Sequence, residues 1–330
     1  MEPLRPSQGF FVANHFTEEP MLTIYKSTEN GLQILSQPVD GCWINLVDPT
    51  TEEIEEVVGL GIPQDFVTYP LDLDERSRTE REDDGTLFIL MRMPYYQGEG
   101  VDIPYNTIPL GMVIHENYFV TISKLPTDIL NDFTIGKVKN WSTGKRIRFV
   151  LRILLVAANK YLTYLREINK NVDILEDQLT LSSRNKEILE ILKYQKSLVY
   201  FTTALKSNEL VLNRLQNTRL FRMYPEDEDL LEDVITENQQ AIEMINIANN
   251  ILSSMMDAFA SIISNNLNVV MKFLTSITIV FSIPTIVTSF FGMNVTLPFA
   301  QLPWAYLIII AIFTGLAGLV IGIFIKRDWF

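Results

Sequence analysis

The stretch NVVMKFLTSITIVFSIPTIVTSFFGMN, Asn268 to Asn294, decides how the rest of the chain is read. After Lys272 no charged residue occurs until Lys326. At about 1.5 Å of rise per residue, Phe273 to Phe291 gives a helix of roughly 29 Å, enough to cross the hydrocarbon core of a bilayer. Its polar residues are ordered rather than scattered. Thr275, Thr278, Ser282, Thr285 and Ser289 follow steps of three and four, which stacks them on one helical face, and Asn268 and Met271 continue that face downward. One hydroxyl in a membrane helix can satisfy itself on its own backbone. Five on one stripe point toward water or another helix.

A second uncharged run, Leu302 to Ile325, is long enough for a second span, and the short connector around Thr296 to Pro303 predicts an antiparallel helical hairpin. Lys272 precedes the first span, Lys326 and Arg327 follow the second, and the connector is uncharged. The positive-inside rule therefore puts both termini, and everything before residue 268, in the cytoplasm. Trp304, Tyr306 and Trp329 suit interfacial anchors, while Gly315, Gly318 and Gly322 include one small-xxx-small step that suits close helix approach. The first residues carry no basic and apolar leader, so no cleaved signal peptide is expected.

Composition excludes other classes. A formal net charge of −13 argues against nucleic acid as a partner. The single cysteine, Cys42, excludes an intramolecular disulfide and a cysteine-rich zinc site, and reads as a small buried apolar residue. The two histidines, His15 and His115, both precede residue 140 and read as structural or surface residues. No phosphate-binding glycine loop or hydrolase cluster is present, so an enzyme is not expected.

Residues 1–140 alternate short β-rich runs with turns: Met21 to Tyr25, Leu32 to Leu35, Cys42 to Val47, Leu87 to Met93, and a hairpin of Ile108 to Ile114 with Tyr118 to Ser123. Helix starts are predicted at Thr51 and near Pro63, and the mixed charges of Asp72 to Asp84 predict a solvated segment rather than a metal site. This is a cytoplasmic α/β domain. Residues 141–267 change to helical periodicity: one amphipathic helix from Ile147 to Leu179, a break at Ser182 to Asn185, and a return helix through Leu212. A third helix begins after Pro225 and meets no proline before Pro284. Its acids, Glu226, Asp227, Glu228, Asp229, Glu232, Asp233, Glu237, Glu243 and Asp257, meet no Lys or Arg before Lys272, which predicts a cation-attracting stalk. Residues 268–330 form the two-helix transmembrane domain. The fold class is an α+β membrane protein, with an N-terminal α/β domain, a long helical stalk and hairpin, and two C-terminal transmembrane helices in contact with lipid.

Two helices cannot enclose water, so a conducting stripe requires several copies around an axis. Mg2+ sheds water reluctantly and prefers oxygen, and rings of hydroxyl and amide oxygens suit its hydration shell.

Gly292-Met293-Asn294 at the end of the first of two C-terminal spans resembles the signature of the CorA family of divalent-cation transporters. The Lys326-Arg327 tail, the long preceding helix, and Trp43-Ile44-Asn45-Leu46 followed by Pro49-Thr50 and Glu52-Glu53 extend the resemblance over the chain. It implies a homopentamer that takes up Mg2+, with Gly292, Met293 and Asn294 as the selectivity ring. It also implies pore-facing positions at Asn268, Met271, Leu274, Thr278, Ser282, Thr285 and Ser289. Asp233 and Asp257 correspond to acidic stalk positions where regulatory Mg2+ binds between subunits and favours closure. Three departures stand out: Phe291 where Tyr is usual, no acid from Thr296 to Pro303, and Gln97 at the nearest match to an acidic partner of the stalk, with Glu99 and Asp102 close by. The alternatives are a transporter of Zn2+, Co2+ or Ni2+, with or without proton coupling, and a membrane-anchored scaffold or sensor.

Overall fold

The computed structural model describes residues 22–29, 31–181, 185–217, 224–293, 303–327 and 329. Within them the chain forms two compact units, Met1–Leu252 and Ser253–Phe330.

The first unit is built on a seven-stranded sheet: β1 (Leu22–Thr28), β2 (Gly31–Leu35), β3 (Cys42–Val47), β4 (Arg78–Arg81), β5 (Leu87–Tyr96), β6 (Tyr105–Ile114) and β7 (Tyr118–Ser123), in the spatial order β2-β1-β3-β7-β6-β5-β4. Every neighbouring pair is antiparallel except β3 with β7. Strand periodicity sorts side chains between two cores. On β5, Leu87, Ile89, Met91 and Met93 enter one core while Phe88 and Leu90 enter the other. On β3, Trp43 faces the first, and Cys42, Ile44 and Leu46 the second. The sheet is therefore sandwiched between two helical layers.

The second core is closed by α1 (Thr51–Gly59) and α2 (Gln64–Thr68) through Val57, Phe66 and Val67. Helix α1 starts where expected because Thr50 and Glu53 form a capping box, each side chain satisfying a backbone N–H of the other. The first core is closed by α3 (Asp128–Thr134), α4 (Arg146–Leu181), α5 (Asn185–Asn217) and the opening turns of α6 (Pro225–Phe291), through Phe133, Phe149, Leu212 and Leu231 among others. Trp43 anchors this layer. Its indole N–H donates to Thr121 Oγ1 at 2.7 Å, and its ring stacks on Tyr25 and meets Phe149 edge-on at 5.0 Å. Asn208 on α5 ties the helix to β5 by donating to the Arg92 carbonyl at 2.8 Å and accepting from the Arg92 N–H at 3.0 Å.

The segment Asp72 to Asp84, read as solvated, contains the edge strand β4, and Arg78 is held by Glu75 and Glu80 while its guanidinium lies 4.4 Å from the Tyr69 ring centre. The charges serve a sheet edge, where they also discourage unwanted strand addition. Cys42 is buried, as expected, and burial raises its thiol pKa. His115 stacks on Tyr118, 6.0 Å between ring centres. His15 lies outside the described residues.

One glycine is a steric requirement. A Cβ at Gly111 on β6 would overlap the Pro70 ring, with Pro70 Cβ at 3.1 Å and Phe88 Cε2 at 3.2 Å. Both neighbours belong to rigid, buried groups. Gly111→Ala is expected to destabilise the protein by about 1–3 kcal/mol, the usual range for overpacking a filled core. Chemical denaturation of the variant checks this.

Candidate ion-conducting face

The second unit contains the membrane-length part of α6 and α7 (Ala305–Lys326), both long and apolar enough to cross a membrane. Helix α6 runs unbroken through Pro284 for 67 residues. Proline removes one N–H from the ladder and leaves the carbonyl of Val280 without its helical donor. The Thr288 hydroxyl donates nearby, to the carbonyls of Pro284 at 2.8 Å and Thr285 at 3.2 Å.

The two sides of this part of α6 differ. Ser276 and Val287 are buried, and Val280, Ile283 and Phe291 half-buried, at helical spacing on one side. Asn268, Met271, Leu274, Thr278, Ser282, Thr285 and Ser289 lie on the other, and all seven are exposed. In the isolated chain these residues are exposed on the side of the helix away from Ser276 and Val287.

Its hydroxyls have a defined polarity. Thr278 donates to the Leu274 carbonyl at 2.8 Å, Ser282 to Thr278 at 2.8 Å, and Thr285 to Phe281 at 3.2 Å. A hydroxyl owns one proton and two lone pairs, so a hydroxyl whose proton is given to the preceding turn offers its surroundings lone pairs only. Thr278, Ser282 and Thr285 therefore present neutral acceptors to their surroundings. Water around a cation turns its hydrogens outward and needs such acceptors, whereas water around an anion turns its oxygens outward. The chemistry favours a hydrated cation without using a charge.

At the top of the stripe α6 ends at Phe291, and the Gly292 N–H still reaches the Thr288 carbonyl at 2.9 Å. A Cβ on Gly292 would stand 3.2 Å from that same oxygen, a tight approach at the helix exit. Met293 is exposed. Asn294 and the connector up to residue 302 lie outside the described residues, as do residues 182–184 of the predicted break, while Asn185 already belongs to α5.

The acidic stalk is less free than its sequence implies. Arg148 on α4 donates to Asp227 at 2.8 Å and Glu226 at 2.7 Å, and the Asp227 side chain is only 4% exposed. These two acids moor the start of α6 to α4. The partner sits 78 residues away in sequence, so no local pattern revealed it. Asp233 and Asp257 are both exposed. Among the described residues no three acidic, His or Cys side chains of one chain converge on a metal-sized site. Of the residues matched to the stalk's partner, Gln97 and Glu99 are exposed, while Asp102 is engaged by Lys196 at 2.6 Å.

On α7, Ile309, Phe313, Ala317, Val320 and Phe324 form a half-buried stripe. Gly315, Gly318 and Gly322 face open space within the single chain. Trp304 and Tyr306 are exposed, as interfacial anchors would be, and Trp329 stacks on Phe324.

The sequence pattern described as CorA-like Mg2+ transporter protein matches residues 40–327. The chain belongs to the CorA family. It is 29% identical over 299 residues to the cobalt/magnesium transport protein CorA of Methanocaldococcus jannaschii, covering 87% of this chain and 90% of that one. Identity to the protein of the same description from Thermotoga maritima is 22%, over 87% and 83% of the two chains. The complete structure of the CorA magnesium transporter from Methanocaldococcus jannaschii superposes with a TM-score of 0.83 at 25% identity, covering 95% of this chain and all of that one. Full-length CmaX, at 16% identity and a TM-score of 0.69 over 94% of this chain and 97% of its own, shares the fold. The CorA architecture, a sheet-based N-terminal domain, a long helix and two C-terminal membrane helices, is thus present throughout.

Proposed function

We propose that the chain is one subunit of a homopentamer that admits Mg2+ through the cell membrane along the exposed face of α6, with both termini in the cytoplasm. The observation that carries this reading is the exposed run of Thr278, Ser282 and Thr285, whose hydroxyl protons are all given to the preceding turn, in a helix of membrane length. Lipid offers those lone pairs nothing, so the face belongs against water, and several copies around an axis supply it. Asn268, Met271, Leu274, Thr278, Ser282, Thr285 and Ser289 then line the path, and Gly292, Met293 and Asn294 form its outer ring. Mg2+ passes with water still bound, since its first shell is costly to strip.

The names of the relatives, cobalt/magnesium transport proteins, support Co2+ as a second substrate. Proteoliposomes loaded with a Mg2+ indicator provide the test. Mg2+ entry without a proton gradient supports the proposal, while flux of Zn2+ or Ni2+ only, dependent on a proton gradient, overturns it. A membrane-anchored scaffold leaves the stripe without a purpose and predicts no flux of any ion.

Regulation follows from the exposed acids. Asp233 and Asp257 supply the oxygen donors Mg2+ prefers, but neither sits in a ready-made cluster within its chain, so a resident ion there would take ligands from a neighbouring copy as well. Bound Mg2+ would offset the repulsion between facing carboxylates and hold the closed state. Asp233→Ala combined with Asp257→Ala is expected to weaken closure severalfold. The measurement is protection from limited proteolysis at millimolar Mg2+, and unchanged protection counts against these two residues.

A further inference from the structure

We infer that a cleft in the first unit, between the start of α4 and the start of α6, binds a small phosphorylated anion. The cleft has a volume of about 460 Å3 and is lined by Lys145, Arg148, Arg152, Asn140, Ser142 and Glu226 among others. A neighbouring cleft shares Lys145, Arg148 and Glu226 and adds Arg146.

Two local rules are broken here together. Positive charges at a helix N-terminus oppose the macrodipole, yet α4 opens with Arg146 and Arg148, preceded by Lys145, and has no acid in its first turn. Like charges at helical spacings of three and four repel, yet Lys145, Arg148 and Arg152 follow those steps on one face. In a chain of net charge −13, such a concentration of cations calls for a counter-charge.

The protein supplies part of it. Arg148 is satisfied by Asp227 and Glu226, and Arg146 donates to the carbonyls of His115 and Glu116. Lys145 and Arg152 are left. The Lys145 ammonium makes no hydrogen bond or ion pair among the described residues, and the Arg152 Nε is buried with no acceptor. A buried donor without a partner is costly, and a guanidinium makes its strongest bonds with carboxylate or phosphate oxygens. A phosphoryl group in the cleft would meet the Arg152 guanidinium and Lys145, with the Ser142 hydroxyl and Asn140 amide at its rim. Among the described residues lining this cleft the one carboxylate is Glu226, and its pairing with Arg148 offsets its repulsion of an anion. This inference stands independently of ion conduction.

The test uses the full-length chain in detergent, free of Mg2+ and at constant ionic strength, titrated with inorganic phosphate, pyrophosphate and, as control, chloride. Saturable binding of phosphate or pyrophosphate is expected, and the tighter of the two identifies a monophosphoryl or diphosphoryl ligand. Arg152→Gln should weaken it at least about tenfold, the loss of one charge-assisted contact. Lys145→Gln, at an exposed position that cannot perturb the core, should weaken it by about threefold to tenfold. Lys186→Gln, on α5, should leave it unchanged. Absence of saturable binding, or equal affinity in wild type and the Lys145→Gln variant, overturns the assignment.

Discussion

Combining Thr278→Val, Ser282→Ala and Thr285→Val is expected to reduce Mg2+ flux at least about 100-fold while the protein still folds and assembles. The substitutions nearly preserve volume. They remove a hydroxyl whose proton only supplements a helix carbonyl already bonded in the ladder, so the helix loses little. What disappears is the row of lone pairs facing outward. A net hydrogen bond contributes about 0.5–1.5 kcal/mol, and three per chain sum to roughly 1.5–4.5 kcal/mol, which corresponds to about tenfold to two-thousandfold in rate. In the proposed ring of identical chains they would be lost at the same levels, which moves the expectation toward the upper part of that range, and an apolar constriction also dewets. Flux into proteoliposomes is the readout. Thr278→Ser and Thr285→Ser keep the acceptor and should conduct, so full flux through the valine and alanine variant would show that ions do not pass along this face.

The same residues show why much of this molecule was legible before its coordinates. The stripe was readable because a helix repeats every 3.6 residues, and five hydroxyls at steps of three and four share a face in any helix. Six strands and their hairpin were readable because Cys42 to Val47, Leu87 to Met93 and Tyr118 to Ser123 are rich in apolar and β-branched residues bounded by turns. Strand β4 was hidden because its charged residues cover a sheet edge, and a charged edge strand resembles a solvated loop. Helix α3 was missed because seven residues hold too little periodicity to stand out. The mooring of Glu226 and Asp227 to Arg148 was hidden for a different reason. It depends on two helices meeting in space, and the sequence between them contains nothing that signals it. An acidic run with no nearby base therefore looked wholly available to cations, when its first two acids are bound within the chain. The uncommitted Arg152 was invisible for the same reason, since an unpaired cation is recognised only once its surroundings are known.

Asn294→Ala is expected to bring Mg2+ uptake down to background. Thr278, Ser282 and Thr285 offer acceptors along the stripe, but its last described member, Ser289, lies two residues before the helix exit at Phe291. Beyond that exit the chain presents Gly292, whose lack of a side chain keeps the turn clear of the Thr288 carbonyl, and the exposed apolar side chain of Met293. Neither can accept a hydrogen bond through its side chain with any strength. Asn294 is the next residue, and with no acid from Thr296 to Pro303 it is the nearest side-chain oxygen of strong acceptor character at the mouth. In the proposed pore an incoming hydrated ion would meet a neutral amide oxygen rather than a field of carboxylates, and selection there would rest on geometry and hydrogen bonding. Alanine removes the acceptor outright, whereas Asn294→Asp retains an oxygen and adds charge. The aspartate variant should keep measurable flux and lose discrimination between Mg2+ and monovalent cations. Uptake by a folded, assembled Asn294→Ala protein at the wild-type rate would move the selective step to the hydroxyl stripe below.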